Sequence, residues 1–287
     1  MKKVAVVTDS VACIPKELVD KYHIHVVPVN LIIEDRSYRD GIDISATEVY
    51  ENLKRWKKLP TTSAPSPGTF LELFKELSQQ TDSILIVSLS SKVSAVFDSV
   101  QQAIELANEA IPQTDIRVVD SLTATGAQGF VALAAARAAF NGDPIDQVIL
   151  VTENMRSKVH MVSMLDTMYY LAKGGRIPKA AAWLGSLLRV KPILQIKPGE
   201  GEVSMLDKPR TRRKGIERLM QVLRERVGDE RLHINIQHAN SLDEAEILKE
   251  RIVSEFDCSE VYITDFTPVM GAHTGPGLLG LSFYCGE

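Results

Sequence analysis

Ser83-Ile84-Leu85-Ile86-Val87 is the segment that decides the fold class, together with the loop and the helix after it. It is a short apolar run with β-branched residues, which is typical of a buried strand in a parallel sheet. It leads into a loop with four serines, residues 88–94, and then into a helical pattern from Ala95 to Ala110. A strand, a polar loop and a helix in this order predict a βα unit, in which free N–H groups at the helix start can meet an anion.

The same order of strand, loop and helix recurs through the first half of the chain. Val4–Val7 is an apolar run that ends in Thr8-Asp9-Ser10, and Asp115–Val119 is followed by Asp120-Ser121 and a helical pattern of small residues. Polar residues at the carboxyl ends of such strands often line a ligand crevice. We therefore predict an α/β fold with an N-terminal α/β/α domain, residues 1–157, built on a parallel sheet.

The pattern changes in the second half. Lys191–Ile196 and Glu202–Leu206 flank a Pro-Gly turn and resemble a hairpin. Helical patterns and apolar runs then alternate up to a final strand, Leu279–Cys285. This half, residues 158–287, is predicted to be an α+β domain with a mixed or antiparallel sheet.

Three local patterns lead to specific expectations. Val26–Ile33 is predicted to be one strand, followed by a hairpin turn at Glu34–Tyr38. Residues 60–68 hold three prolines and are predicted to be a loop, with Ser66-Pro67 starting a helix at Thr69. Residues 271–280 hold four glycines and are predicted to be a loop that carries His273 into the final strand.

Composition excludes several classes of protein. The chain has 287 residues, 45% hydrophobic and 24% charged, and a net charge of −4, which is a soluble globular profile that disfavours nucleic acid as a partner. The densest basic cluster, residues 208–214, is either a solvated helix start or a surface for a phosphate or an acidic partner. Three scattered cysteines, an N-terminal apolar run too short for a signal peptide, and no long apolar segment predict a cytoplasmic protein.

Several kinds of active site are also disfavoured. The six histidines and three cysteines show no metal-ligand spacing, so no metal site is expected. Thr8-Asp9-Ser10 follows the first strand without glycine, and no phosphate-binding loop or GxSxG elbow occurs. A triad of Ser94, His273 and an acid such as Asp9 remains open, although no fixed spacing supports it.

A group of neutral polar residues stands out in the loops. Thr62, Ser63, Ser94 and His273 are hydroxyls and one imidazole, which suit a carboxylate held by hydrogen bonds better than acid–base chemistry. The chain also offers apolar residues that could line a pocket or belong to the ordinary core, and the sequence does not distinguish these two possibilities. These residues are Phe70, Phe97, Met161, Met164, Leu165, Met168, Trp183 and Leu187.

Six motifs in order resemble the DegV family over essentially the whole chain: Thr8-Asp9-Ser10, the loop at residues 62–67, Asp120-Ser121, the turn at residues 171–177, Lys191-Pro192 and His273-Thr274-Gly275-Pro276-Gly277. The resemblance implies a bacterial fatty-acid-binding protein of phospholipid metabolism that works with a fatty-acid kinase. It implies two α/β domains with a long-chain fatty acid held between them in a buried apolar tunnel.

The resemblance also implies roles for particular residues. It places the fatty-acid carboxylate at six positions: Thr62, Ser63, Ser94, Ala95, His273 and Thr274. Arg210 is implied near the carboxylate or acyl phosphate, with Arg212 and Arg213 as adjacent alternatives, and Arg176 on the surface that meets the kinase. ATP and Mg²⁺ would then belong to the kinase, so no cofactor is expected here besides the bound fatty acid, and transient contact with a membrane surface is allowed.

One stretch departs from the family pattern. Where the family commonly has Ser-Gly-Thr-Tyr, this chain has Ser94-Ala95-Val96-Phe97. Ala95 would cost ~1 kcal/mol or more if the backbone there had to be left-handed, and Val96 lacks the usual hydroxyl. The expected function is therefore a non-enzymatic lipid carrier that presents a carboxylate to a kinase; the alternative is a lipid esterase using Ser94 and His273.

Overall fold

A four-stranded parallel sheet organises the N-terminal half. The computed structural model describes residues 4–175 and 190–286. The strand order is β2-β1-β6-β7, and every pair is parallel. All six residues of the strand that begins at Ser83 are buried, as expected for a central strand. The strands are β1 (Val4–Asp9), β2 (His25–Val27), β6 (Ser83–Ser88) and β7 (Asp115–Asp120).

A six-stranded mixed sheet organises the C-terminal half. Its order is β10-β9-β8-β13-β11-β12, with β11 and β12 parallel and the other pairs antiparallel. The parallel sheet and the mixed sheet confirm the predicted fold class. The division into domains at residue 157 stays a prediction. The strands are β8 (His160–Met164), β9 (Ile193–Ile196), β10 (Val203–Asp207), β11 (Leu232–His238), β12 (Cys258–Asp265) and β13 (Leu279–Cys285).

Helices connect and cover these strands, and a short 3-10 turn, Ser10–Ala12, follows β1. None of the helices within the described ranges is both long and apolar enough to cross a membrane. In chain order they are α1 (Lys16–Lys21), α2 (Ala46–Asn52), α3 (Pro67–Leu77), α4 (Val96–Ala110), α5 (Thr125–Phe140), α6 (Ile145–Arg156), α7 (Tyr169–Gly174), α8 (Arg212–Val227), α9 (Leu242–Glu255) and α10 (Pro268–Thr274).

Helix α5 packs against both large sheets. Nearly all of its residues are buried. Most of them are small or apolar, so the helix can be packed on almost every side. Two glycines permit the close approach: a Cβ on Gly129 would collide with the carbonyl of Ala12, and a Cβ on Gly126 would lie 2.6 Å from Nε2 of Gln237. The small side chains of α5 therefore bring the two sheets together on either side of one helix.

A third, three-stranded sheet corrects two of the local predictions. It consists of β3 (Asn30–Ile33), β4 (Arg36–Arg39) and β5 (Thr61–Ser63), with β3 in the middle and all pairs antiparallel. The single strand Val26–Ile33 is wrong, because the chain breaks at Pro28, which has no N–H to continue a ladder. The turn at Glu34–Tyr38 is shorter than predicted, since only Glu34 and Asp35 have positive φ.

Both predicted loops contain regular structure. In the segment 60–68, Thr61–Ser63 pairs with β3 and the prolines lie outside the paired residues. Ser66 caps α3 at the backbone N–H of Thr69, as predicted. In the segment 271–280, the first four residues belong to helix α10, so His273 lies in the last turn of a helix and the glycine-rich turn follows it.

Candidate ligand-binding cavity

An apolar cavity of about 540 Å³ is lined by strands of the mixed sheet and of the three-stranded sheet, and by segments that follow β1 and β6 of the parallel sheet. This volume is within the usual range of pockets that bind small molecules. Among the residues that the structure describes, its lining contains no Asp, Glu, Lys or Arg. The lining residues are Val11, Val29, Thr62, Ser63, Ala64, Leu89, Val93, Ser94, Ala95, Ala124, Met161, Ser163, Leu165, Leu171, Leu194, Ile196, Val203, Phe266, Val269, Met270, His273, Thr274 and Leu278.

All six residues predicted to hold a carboxylate line this one cavity. Thr62 and Ser63 come from β5, Ser94 and Ala95 from the start of α4, and His273 and Thr274 from the end of α10. Ser63 and Ala95 are exposed, whereas Thr274 is buried. The cluster therefore extends from the surface into the apolar interior. Whether it binds a carboxylate stays a prediction.

Thr62 and His273 form the central contact of the cluster. A hydrogen bond of 2.9 Å joins Oγ1 of Thr62 to Nε2 of His273, whose side chain is almost fully buried. Thr62 is fixed by its place in β5, opposite Leu31 of β3. The imidazole thus directs its Nε2 at a hydroxyl in the same wall of the cavity.

Helix α10 is held in place at its N-terminal end. Thr267 caps it at the N–H of Met270 with Pro268 in the first turn, and the buried carboxylate of Asp40 accepts from the N–H of Val269 at 2.9 Å. The hydroxyl of Tyr50 donates to the carbonyl of Phe266 at 2.6 Å. These contacts fix the direction in which the helix carries His273.

Two glycines allow α10 to be approached closely from two sides. A Cβ on Gly271 would lie 2.5 Å from the ring of Tyr50, so α10 packs directly on α2. A Cβ on Gly174, the last residue of α7, would lie 2.7 Å from Nδ1 of His273. Gly174, which belongs to the motif at residues 171–177, therefore lies directly against the imidazole. The family resemblance associates this turn, through Arg176, with a partner surface; Arg176 itself lies outside the described residues.

The start of α4 is free of the strain considered for Ala95. Ala95 has φ −84° and ψ 8°, so its φ is negative and the cost of a left-handed conformation does not arise. The hydroxyl of Ser94 accepts from the N–H of Val96 at 3.3 Å. The other N–H groups in the first turn of a helix lack helical partners, which makes this position favourable for an anion.

The arginines near residue 210 do not line the cavity. Arg210 and Arg213 are exposed. Arg212 donates to both carboxylate oxygens of Glu244 and, at 2.6 Å, to the carbonyl of Gly277 in the turn after α10. Arg212 therefore stabilises the glycine-rich turn, and a role of Arg210 toward a ligand head group stays a prediction.

Asp9 is placed behind the cavity wall rather than in it. Its buried carboxylate accepts from the N–H groups of Val11 and Leu89, which line the cavity, and from Nε2 of Gln128. Burial raises the pKa of Asp9 to about 6, although these three hydrogen bonds oppose the rise. The carboxylate of Asp9 thus holds the two segments of the cavity wall that contain Val11 and Leu89. Asp9 is therefore poorly placed to be the acid of a Ser94–His273 triad.

The apolar residues singled out from sequence divide between pocket and core. Met161 and Leu165 line the cavity. Phe70, Met164 and Met168 are buried and Phe97 is half-buried, but none of these four is part of the lining. Trp183 and Leu187 lie outside the described residues.

A second cavity of about 520 Å³ lies beyond Asp9, between the start of α1 and the end of β12. Asp9 and Asp40 face it, and both carboxylates already accept several hydrogen bonds. Asp265 adds a third, exposed carboxylate. We assign no ligand to this cavity.

The fold and the cavity define an α/β protein with a mainly apolar cavity whose described lining contains no Asp, Glu, Lys or Arg. Its family is shown by comparison: the model described as "Uncharacterised protein, DegV family" matches residues 3–285. The DegV domain-containing protein lmo2514 of Listeria monocytogenes is 34% identical over 98% of this chain and 98% of its own length. The chain belongs to the DegV family.

Two solved structures extend this similarity to the fold. DegV from Bacillus subtilis, a fatty acid binding protein, aligns with a TM-score of 0.89 and 34% identity over all of both chains. A DegV family protein from Thermus thermophilus, whose structure concerns fatty acid binding, aligns with a TM-score of 0.90 and 28% identity over 99% of each chain. The resemblance inferred from the six motifs is confirmed.

Proposed function

We propose that this protein binds a long-chain fatty acid in the apolar cavity and presents the carboxylate to a fatty-acid kinase. The observation that carries the proposal is the composition of the cavity wall. Apolar side chains form most of it, the hydroxyl of Thr62 contacts the imidazole of His273, and Ser94 lines the same cavity. The two solved relatives, which bind fatty acids, support the same ligand class.

Burial of the acyl chain supplies the binding energy. Each CH₂ group removed from water contributes about 0.8 kcal/mol, so a long chain has ample gross driving force before the cost of ordering it. Leu89, Met161, Leu165, Leu194 and Ile196 are buried side chains that offer such contacts.

The carboxylate requires hydrogen bonds, because an unpaired charge in an apolar interior is far too costly. Thr62, Ser63 and Ser94 place hydroxyl groups on the cavity wall, and His273 donates through a ring N–H when that nitrogen is protonated. The hydroxyl of Thr274, which also lines the cavity, donates to the carbonyl of Met270 at 3.0 Å. The start of α4 at Ala95 adds the positive end of a helix dipole. A carboxylate at this position would be satisfied without a buried cation and would remain close to exposed residues.

The kinase partnership rests on the family resemblance. In this scheme the chain makes and breaks no covalent bond, ATP and Mg²⁺ are bound by the kinase, and the product is an acyl phosphate. Ser63 and Ala95 are exposed, so a carboxylate beside them is accessible to a partner. Arg210, and Arg176 in the segment outside the described residues, are proposed to contact the acyl phosphate or the kinase.

Analysis of bound lipid separates the carrier from the esterase. Native protein is extracted with organic solvent, and the extract is analysed by mass spectrometry. We expect about one fatty acid per chain and no ester hydrolysis. A lipid-free protein that hydrolyses acyl esters, and loses this turnover in Ser94→Ala, would overturn the carrier and establish the alternative.

A further inference from the structure

Ser163 is a polar residue in an apolar part of the cavity wall. It lies in β8 and is only 3% exposed. Met161 lies two residues before it in β8, Leu165 follows directly after the end of β8, and Leu194 lies opposite Ser163 in β9. All four residues line the cavity. Ser163 is thus separated by strand and by sheet from Thr62 and Ser63 of β5.

The hydroxyl of Ser163 is weakly satisfied. Among the described residues, its hydrogen bond goes to the thioether sulfur of Met161 at 3.5 Å. A thioether is a weak acceptor, and a serine hydroxyl has one donor and two acceptor positions. A buried hydroxyl without a good partner costs about 1–3 kcal/mol.

Gly280 packs closely beside this hydroxyl. It pairs with Ser163 on one side and with Gln237 on the other. A Cβ at Gly280 would lie 2.9 Å from Oγ of Ser163 and 3.3 Å from Oε1 of Gln237. A side chain at this position would therefore press on two polar groups, and only glycine fits between them; we call this group of three residues the polar notch: Ser163, Gly280 and Gln237.

Gln237 places its amide oxygen at the polar notch, and its amide nitrogen points elsewhere. Its side chain is fully buried, and its Oε1 accepts from Ser282 at 3.0 Å. Its Nε2 has no hydrogen-bond partner among the described residues. Gln237 does not line the cavity, and its Nε2 lies against Gly126 of α5. The polar group that a ligand in the cavity can meet here is therefore the hydroxyl of Ser163, and because buried hydroxyls are normally paired, it points to a polar group on the ligand.

We propose that the acyl chain bound here carries a hydroxyl group that hydrogen-bonds Ser163 at the polar notch. An unsubstituted alkyl chain offers no donor or acceptor, whereas a chain hydroxyl offers both. This inference rests on the proposed fatty-acid carrier function and specifies the class of fatty acid. The carboxylate stays at the cluster of Thr62 and His273, so the position of the hydroxyl along the chain is set by the span between the two sites.

Positional isomers of hydroxystearic acid test this arrangement. Delipidated full-length protein is titrated with stearic acid and with stearic acids hydroxylated at successive carbons along the chain. We expect one isomer, or two adjacent ones, to bind roughly 3- to 10-fold more tightly to the wild type than to Ser163→Ala, the effect of one neutral hydrogen bond. Stearic acid itself binds both proteins equally, or the variant more tightly.

Two further variants keep the result interpretable. Ser254→Ala removes an exposed serine hydroxyl on α9, away from the cavity lining, and is expected to bind every isomer as the wild type does. Gly280→Ala places a Cβ 2.9 Å from Oγ of Ser163, which must move, and is expected to lose the same isomer preference as Ser163→Ala. An isomer profile that is identical in wild type and Ser163→Ala, with stearic acid bound by both, would overturn this inference alone. Failure of the wild type to bind stearic acid and every isomer would overturn the proposed function as well.

Discussion

Thr62 and His273 are 211 residues apart in the chain and meet in a hydrogen bond of 2.9 Å. The threonine belongs to a three-residue strand in the N-terminal half, and the histidine lies in the last turn of a seven-residue helix near the C-terminus. The contact therefore depends on the packing of α10 against α2 and the third sheet. It joins the two halves of the chain at the point where we place the fatty-acid carboxylate.

His273→Ala is expected to separate lipid binding from presentation. The acyl chain supplies most of the binding energy, so bound lipid measured by mass spectrometry should stay near the wild-type level. Acyl-phosphate formation with a fatty-acid kinase should fall roughly 10- to 100-fold, as for a lost hydrogen bond to a charged group. Parallel loss of lipid and phosphorylation would argue against this division of roles.

Gly174→Ala tests the support behind the imidazole. The added Cβ would lie 2.7 Å from Nδ1 of His273, so the ring must move. We expect bound lipid to be retained and acyl-phosphate formation to fall, as for His273→Ala but less. Gly68→Ala is the matched control, because its Cβ would have no neighbour closer than 3.6 Å. Equal phosphorylation in the two variants would show that Gly174 does not position the ring.

Tyr50→Phe tests the anchoring of α10. The variant loses the 2.6 Å hydrogen bond to the carbonyl of Phe266, which is left buried without that donor. We expect the free energy of unfolding in urea to fall by about 1–3 kcal/mol. Tyr38→Phe is the control, because it removes the hydroxyl of a half-buried tyrosine in β4, outside this anchor. It should change the free energy of unfolding by less than about 0.5 kcal/mol. Equal effects of the two changes would contradict the anchoring role.

Asp9 should make stability depend on pH in the acid range. Its pKa is raised from 3.8 to about 6 in the folded protein, first by burial. The folded state therefore holds the proton more tightly than the unfolded state. The resulting stabilisation is complete below pH 3.8 and is lost as the pH rises through about 6.

Comparison with Asp9→Asn isolates this contribution. The difference in unfolding free energy, wild type minus variant, should fall by about 3 kcal/mol between roughly pH 3.5 and pH 7.5, since each pKa unit corresponds to about 1.4 kcal/mol. Urea unfolding at successive pH values measures it. A difference that rises with pH would mean that the hydrogen bonds from Val11, Leu89 and Gln128 outweigh the burial.

Local sequence signals predict much of the fold. Ser66-Pro67 indicates the start of α3 because a capping hydroxyl and a proline act within one turn. Thr267-Pro268 is the same signal for α10, but the glycines after it favour a loop when only local patterns are considered. Those glycines serve packing: Gly271 admits the ring of Tyr50, a contact that no local pattern encodes.

The sequence predicts which residues belong to the site but not how they are arranged in space. Residue type and the family resemblance identify the hydroxyls and the histidine. Their arrangement depends on contacts between distant segments, such as Asp40 with Val269 and Gly174 with His273. Gly174 is visible in a Gly-Gly pair, but nothing in the sequence indicates that it backs the imidazole. Ser163 carries no signal, because a serine in a strand is ordinary until its neighbours are known to be apolar.

A crystal structure of the protein with a bound long-chain fatty acid tests the central claim most directly. We predict elongated density through the apolar cavity, with the carboxylate oxygens within hydrogen-bond distance of Thr62 and Ser94 and beside His273. A fatty acid bound elsewhere, or one whose carboxylate lies away from these residues, would contradict the account.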